Sequence, residues 1–366
     1  MFFLSAGEVS GDVYGAELVK ALLSQGAGPC FGLGGEHLQS AGQSSLANVL
    51  DYSAVGLTEN LGHLGYFQKC FVRVKAWLRQ CRPQFVVLVD FQGLNLKIGA
   101  YARTLNIPVF YFIAPQAWIW RAPGDLKRIV QSCDCILSVF KPEHDFYQQR
   151  GLNSVFVGHP LWDMLANHPL TEKQLSQDSR LFFWLPGSRR QEIQRLTAPL
   201  RQLMLSLPGS RHMIPVAREE LKPLLKTAFG DLPVEFVSSQ KRFEYMAQAH
   251  CVAGASGSAI LEAALLKKPV VAMYRVSSLT YLVASQLINA PYVTLPNLLL
   301  KTPVVPEFLQ NFPHHPMRQA ILAPVSPLEL QQRQQKLGLE LGNSLPGTAA
   351  QRASGCILKY ISQRKT

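Results

Sequence analysis

Short apolar runs at residues 2–5, 85–90, 109–113, 136–140 and 155–157 alternate with segments whose apolar positions recur every three or four residues. Apolar runs of that length predict parallel strands buried on both faces, and the intervening periodicity predicts the helices that cover them. The first helix is the plainest. After Asp12, a good helix start, Val13, Ala16, Leu18, Ala21 and Leu22 share a face until Gly26 ends it. A polar stretch, TEKQLSQDSR at residues 171–180, breaks the rhythm, which restarts with apolar runs at 181–185, 213–216, 234–237, 251–253 and 270–274. The fold class is therefore α/β, with two Rossmann-like parallel-sheet domains at residues 1–168 and 169–345 and a helical tail. Residues 328–341 and 349–362 carry helical patterns, and the last segment, 346–366, is expected to pack back on the first domain or on the partner subunit of a homodimer. In doubly wound sheets ligands bind beyond the carboxyl ends of the strands, so the residues that follow each strand are the candidates for chemistry.

The 366 residues, 48% hydrophobic and 16% charged, supply two cores of ordinary size. No apolar run approaches the roughly 20 residues that span a bilayer. Met1 leads straight into Phe2-Phe3-Leu4, without the basic start and cleavage site of a secretory signal, so the expected compartment is the cytoplasm. Seven scattered cysteines, several inside apolar runs, read as small hydrophobes and not as disulfides. Cys133-x-Cys135 lacks zinc spacing and no His-Glu-x-x-His occurs, so neither a metal nor another cofactor is expected. Charge is uneven. Residues 1–168 hold 13 basic and 12 acidic side chains and residues 169–366 hold 23 and 12, giving +1 and +11 of the net +12. A basic second half suits an anionic partner, whether a nucleotide diphosphate, an anionic lipid or nucleic acid.

Motifs narrow that choice. In order along the chain, SAGEVSGD at residues 5–12, GLGGEHLQSAG at 32–42, VGLTENLGHL at 55–64, IPVFYFIAPQAWIWR at 107–121, VGHPLWD at 157–163, LPGSRRQEI at 185–193, SGSAILEAALL at 256–266 and SSLTYLVASQLINAPYVTLPNLLL at 277–300 resemble the lipid-A-disaccharide synthase family. That resemblance implies the two-domain GT-B fold, with an acceptor-binding first domain and a UDP-sugar-binding second domain. It also implies a metal-free, inverting reaction. UDP-2,3-diacylglucosamine and 2,3-diacylglucosamine 1-phosphate would give the β-1,6-linked disaccharide 1-phosphate and UDP.

Such a transfer needs a base for the incoming hydroxyl and stabilisation for the departing diphosphate. Asp90 closes an apolar strand, aligns with the family's strand-end aspartate and is the expected general base, the alternative being a helix cap. The family commonly continues as Asp-Ala-Pro-Asp-Phe-Asn, whereas this chain reads Asp90-Phe-Gln-Gly-Leu-Asn95, so Gly93 replaces the second acid and Asn95 is the expected companion of Asp90. Glu8 is the reserve base or an acceptor-orienting group. Gly187 and Ser188 read as a diphosphate turn, with Arg189 offsetting charge on the leaving UDP and Arg190 solvated. Ser256, Gly257 and Ser258 are expected at the phosphates. Glu262, the lone acid on an apolar helix, either accepts from ribose hydroxyls or pairs internally with Arg275. The resemblance also implies that Asn297, at a matching family position, contacts donor or leaving group. His159 is open between a structural and a functional role, as are Trp118 and Trp120 between acceptor site and core.

Between Asn60 and Val89 lie Lys69, Arg73, Lys75, Arg79 and Arg82, no acid, and interleaved Leu61, Leu64, Tyr66, Phe67, Phe71, Val72 and Trp77. That amphipathic stretch reads as a surface for the cytoplasmic face of the inner membrane, with aromatics at the acyl boundary, or else as an ordinary helix with a basic face. No nucleic-acid motif is present, and no G-x-G-x-x-G supports an NAD enzyme. The nearest rival is another GT-B enzyme, such as a UDP-GlcNAc 2-epimerase.

Overall fold

The computed structural model describes residues 1–50, 64–119, 123–167, 178–277, 291–323 and 325–364. Two compact units result, residues 1–164 with 340–366, and residues 165–339.

In the first unit, β1 (Phe2–Ala6), β2 (Cys30–Leu33), β3 (Gln43–Ala47), β4 (Val86–Val89), β5 (Val109–Phe112), β6 (Cys135–Ser138) and β7 (Ser154–Phe156) form a sheet ordered β3-β2-β1-β4-β5-β6-β7. Its neighbouring strands all run parallel. Every residue of β1, β4, β5 and β6 is buried, which is why these strands are legible as apolar runs. The pattern misses β2 and β3. The third residue of β2 is glycine, because a Cβ at Gly32 would lie 1.7 Å from the Leu4 carbonyl oxygen. The sequence of β3, QSSLA, is that of a partly exposed strand at the sheet's edge.

The helices of this unit are α1 (Val9–Ser24), α2 (Glu36–Ser40), α3 (Leu64–Cys81), α4 (Gln92–Thr104), α5 (Pro123–Ser132), α6 (Lys141–Gln148) and α7 (Pro160–Ala166). Helix α1 starts earlier than expected. Its N-cap position is Glu8, and Asp12 lies buried within the first turn. The Asp12 carboxylate instead accepts from the backbone nitrogens of Gly35 at 2.6 Å and His37 at 3.0 Å, fixing the start of α2.

In the second unit, β8 (Asp178–Leu185), β9 (Arg211–Val216), β10 (Val234–Ser238), β11 (Ala249–Ala255), β12 (Val270–Tyr274) and β13 (Glu307–Leu309) form a parallel sheet ordered β10-β9-β8-β11-β12-β13. Strand β8 begins inside the polar stretch read as a boundary, where Asp178 pairs with Arg211 of β9 at 3.1 Å. Helices α8 (Arg190–Leu205), α9 (Lys222–Phe229), α10 (Arg242–Gln248), α11 (Ser258–Leu265), α12 (Leu295–Leu300), α13 (His314–Leu322) and α14 (Pro327–Glu340) complete it.

The chain rejoins the first unit at residue 340, earlier than the expected end of the second domain at 345. Its last helix, α15 (Ala349–Gln363), packs there: Tyr360 meets the ring of Phe110 edge-on at 5.3 Å, and Arg352 donates to the Val157 carbonyl at 2.7 Å. Asp163 accepts from the backbone nitrogen of Ala349 at 2.7 Å.

Candidate active site

In each sheet the strand order reverses once, between β1 and β4 in the first unit and between β8 and β11 in the second. At such a reversal the loops leaving the two central strands diverge to opposite faces and open a crevice at their carboxyl ends. The four loops concerned carry Glu8, Asp90, the turn at residues 186–189 and Ser256–Gly257–Ser258. The topology therefore brings the expected site residues to two crevices, each described within its own unit.

In the first crevice Asp90 follows β4 directly and is half-buried. It and Phe91 both adopt left-handed backbone conformations, with φ of 48° and 51°. Such geometry is costly away from glycine and persists only where surroundings impose it. The phenyl ring of Phe91 lies where a side chain at Gly7 would be, 2.2 Å from a Cβ built there, and the Cβ of Asp90 sits 3.5 Å from one built at Gly11. Gly7 is thus what lets the Phe91 ring lie against the first loop, whereas at Gly11, inside α1, the Asp90 side chain is at ordinary contact distance. The Phe91 backbone nitrogen donates to Oδ1 of Asp90 at 2.8 Å. Glu8 is half-buried on the same loop. Gly93 is exposed, and a Cβ there would meet nothing within 4 Å.

Asn95 is placed differently from its expected role. It is fully buried on α4, where its Nδ2 donates to the carbonyl oxygens of Asp90 at 2.8 Å, Val89 at 3.1 Å and Ser5 at 3.2 Å. Its Oδ1 accepts from the Ser5 hydroxyl at 2.7 Å. The amide is spent on bracing β1 against β4, which leaves it a companion of Asp90 through the backbone and no free group for a ligand.

In the second crevice β8 runs into Pro186 and Gly187, whose φ of 122° is in the range that favours glycine. Ser188 and Arg189 are exposed at the start of α8. Glu192, one turn into the helix, accepts from the backbone nitrogens of both, and its other oxygen pairs with the Arg189 guanidinium at 3.2 Å. Arg218 donates to the Ser188 carbonyl at 3.3 Å. Arg190 is exposed, as expected of a solvated neighbour. After β11, Gly257 and Ser258 are exposed at the start of α11, and the N-cap residue there has no side-chain hydrogen bond. The Gly257 carbonyl accepts from the Ile260 nitrogen at 3.1 Å, and Ser256 is tied to β12 through its nitrogen and the Met273 carbonyl at 3.0 Å.

Glu262 is buried, and its carboxylate forms a two-pronged ion pair with Arg242, Nε at 2.8 Å and Nη2 at 3.2 Å. The internal partner is Arg242 of α10 and not Arg275, whose guanidinium lies over the Phe312 ring at 5.5 Å. Asn297 is also internal. Its Nδ2 donates to the Val305 carbonyl and to Glu307 Oε1, each at 2.8 Å, and its Oδ1 accepts from the Val305 nitrogen at 2.8 Å. Glu307 accepts further from the nitrogens of Val293 and Thr294 and from the Thr294 hydroxyl, so Asn297 and Glu307 together clamp the segment between α12 and β13.

His159 is buried among Tyr14 and Phe140, and its Nδ1 accepts from the Leu161 nitrogen at 3.0 Å. Burial pushes its ring down to about 3, so it stays neutral and serves the fold. Trp118 is half-buried against Phe140 at 6.1 Å, and Trp120 lies outside the described residues. Sequence reasoning missed Glu192, Arg242 and Glu307. For Glu192 a signal existed, an acid on the first turn of a helix. Arg242 and Glu307 reach their partners through tertiary contacts that no local pattern announces.

Comparison with known proteins fits this geometry. The family model described as Lipid-A-disaccharide synthetase matches residues 2–360. The lipid-A-disaccharide synthase of Alcanivorax borkumensis is 36% identical over 325 residues, covering 84% of this chain and 83% of that protein. That of Pseudomonas fluorescens is 33% identical over 374 residues, covering 99% and 98%. Among solved structures, a putative UDP-N-acetylglucosamine 2-epimerase from Listeria monocytogenes superposes with a TM-score of 0.65 at 12% identity, covering 99% of this chain and 97% of that one. Arabidopsis thaliana UGT89C1 complexed with UDP gives a TM-score of 0.65 at 12% identity, covering 98% of each. The structural likeness shows the shared two-sheet fold, and the family match over nearly the whole length separates this chain from the epimerases: it is a glycosyltransferase belonging to the lipid-A-disaccharide synthase family.

Proposed function

We propose that the chain carries out its family's transfer with the first unit binding the acceptor and the second binding the UDP-sugar. Asp90 takes the proton from the 6-hydroxyl of 2,3-diacylglucosamine 1-phosphate as that oxygen attacks the anomeric carbon of UDP-2,3-diacylglucosamine. The bond to the UDP oxygen breaks with inversion, and the charge that develops on the diphosphate is met by Arg189, by backbone donors at Gly187, Ser188, Gly257 and Ser258, and by the Ser256 hydroxyl. Glu262 has lone pairs beyond those used by Arg242 and accepts from ribose hydroxyls. Glu8 orients the acceptor or replaces Asp90 as base. The observation that carries this reading is the placement of Asp90 at the β1–β4 reversal, its carboxylate fixed by the Phe91 nitrogen, with the Phe91 ring seated against Gly7.

The substrates are diacylated, and the route to them is a bilayer. Among the described residues no helix is long and apolar enough to cross a membrane. Helix α3 offers instead an exposed face with Lys69, Arg73 and Arg79, while Tyr66, Phe67, Phe71 and Trp77 pack against the core of the first unit. Those aromatics are therefore not at an acyl boundary. The side chains of Leu61 and Leu64 lie outside the description. A peripheral attachment to the anionic cytoplasmic leaflet of the inner membrane through the basic face is the reading this supports.

The test is incubation of purified protein with both substrates in mixed micelles, following the disaccharide 1-phosphate by mass spectrometry. Wild-type product with loss in Asp90→Asn supports function and base together. Product surviving in Asp90→Asn moves the base to Glu8, and no product from folded wild type sinks the reaction.

A further inference from the structure

Tyr111 sits at the third position of β5, fully buried, with no route to a ligand of its own. Its hydroxyl donates to the main-chain carbonyl oxygen of Asp90 at 2.9 Å. Burial raises the phenol well above its ordinary range, so it remains a donor at every working pH. The same carbonyl accepts Nδ2 of Asn95 at 2.8 Å, so both of its lone pairs are engaged by buried side chains.

That pairing explains the backbone. A residue at the end of a parallel strand ordinarily continues in the extended region. Asp90 turns instead into the left-handed region, and Phe91 follows it. Two interactions straddle this turn: the Asp90 nitrogen bonds to the carbonyls of Phe112 and Ile113 at the carboxyl end of β5, at 3.3 Å and 3.2 Å, and its carbonyl is gripped by Tyr111 and Asn95. The peptide plane between Asp90 and Phe91 is thereby fixed, and with it the Phe91 N–H that points at Oδ1 of Asp90. The carboxylate's direction is set from below by groups that never touch substrate.

We propose that Tyr111 is a positioning residue for the base: its hydroxyl, with Asn95, holds the Asp90 peptide in the left-handed conformation that aims the Asp90 carboxylate. The inference rests on the reading of Asp90 as general base. It adds Tyr111 as a determinant of turnover that acts through Asp90 alone. A loss of aim at a reacting group costs rate more than binding, since misplacement by about 1 Å lowers turnover by up to roughly 100-fold.

The test is Tyr111→Phe, which keeps the ring and removes one oxygen. Steady-state kinetics with both substrates in mixed micelles would be normalised to the folded fraction from thermal unfolding, in the wild-type and Asp90→Asn backgrounds. The expected result is kcat lower by about 10-fold or more, KM for both substrates within about 2-fold, and no further loss when Tyr111→Phe is added to Asp90→Asn. A purely structural tyrosine would lower the melting temperature and leave kcat per folded molecule unchanged, which overturns the proposal. Equal losses in the two backgrounds overturn it as well. Wild-type turnover in Asp90→Asn would sink the base assignment itself and the positioning role with it, whereas a dead Asp90→Asn beside a fully active Tyr111→Phe removes only the latter.

Discussion

The carboxylate of Glu192 lies 2.9 Å from the backbone nitrogen of Ser188, so the turn proposed to hold the diphosphate already donates to an acidic side chain. Glu192 also accepts from the Arg189 nitrogen at 3.3 Å and pairs with its guanidinium. An incoming diphosphate and this carboxylate seek the same donors. Replacing Glu192 by Ala should therefore tighten UDP binding by about 3- to 10-fold at low ionic strength, with the advantage shrinking as salt screens it. The same change removes a helix cap and should cost about 1 kcal/mol of stability. Calorimetric titration of UDP at two salt concentrations decides the matter. Weaker binding in the variant would mean that Glu192 serves UDP by orienting Arg189.

The buried pair of Arg242 and Glu262 makes two separable predictions. Arg242→Ala leaves Glu262 buried without a counter-charge and should destabilise the second unit by about 3–5 kcal/mol in chemical denaturation. Glu262→Gln keeps the shape and tests the ribose role. If Glu262 accepts from ribose hydroxyls, the variant should lose most of the wild type's preference for UDP over 2′,3′-dideoxy-UDP. An unchanged preference, with only stability affected, reduces Glu262 to a partner of Arg242.

How much of this was open to sequence reading follows from which interactions are local. Strands β1, β4, β5 and β6, and the apolar stretches of β8 and β11, announce themselves because they are buried, and the loops after them inherit that legibility: Asp90 after β4, Ser188 after β8 and Gly257 after β11 are placed at strand ends by the sequence alone. Strand β3 could not, since a polar edge strand and a polar loop have the same composition. At Asn95 and Asn297 the family resemblance suggested a ligand contact, whereas the folded chain commits both amides to internal hydrogen bonds between segments, which no local pattern specifies. The aromatics of α3 misled for a related reason. Amphipathic periodicity marks the apolar face of a helix without saying whether protein or lipid covers it, and here the core of the first unit does.

His159 links stability to pH. Its folded value of about 3 lies below the unfolded value near 6.5, so between these limits the unfolded chain binds the extra proton. The stability contributed by the neutral ring is complete above pH 6.5 and is lost as pH falls toward 3. Between pH 7 and pH 5 the wild type should lose about 2 kcal/mol more than His159→Gln in urea unfolding. Parallel losses in the two proteins would show that the ring titrates normally.

Asp12 carries the contact between two of the family's segments, through the nitrogens of Gly35 and His37. Asp12→Asn keeps the size but can present only one acceptor oxygen, so one of those two donors, the buried one at Gly35 or the more exposed one at His37, loses its partner. A cost of about 1–3 kcal/mol in unfolding free energy is expected, with faster hydrogen exchange at Gly35 or His37 and little change at α5. Uniformly faster exchange across the first unit would instead show that Asp12 is a global support.

The basic face of α3 and its half-buried aromatics, packed against the core of the first unit, separate two modes of membrane attachment. If attachment is electrostatic, Lys69→Glu, Arg73→Glu and Arg79→Glu together should abolish co-sedimentation with vesicles containing anionic phospholipid, and wild-type binding should fall steeply with salt, each basic residue contributing about 1 kcal/mol near the surface. Trp77 packs against Phe3 at 5.5 Å and Phe31 at 5.3 Å, so Trp77→Ala should lower the melting temperature while the folded protein binds vesicles as before. Insertion of aromatics would give the reverse: vesicle binding tolerant of salt and lost with Trp77. Binding that survives all three charge reversals would place the membrane-facing surface elsewhere on the chain and leave α3 as a solvated helix of the first unit.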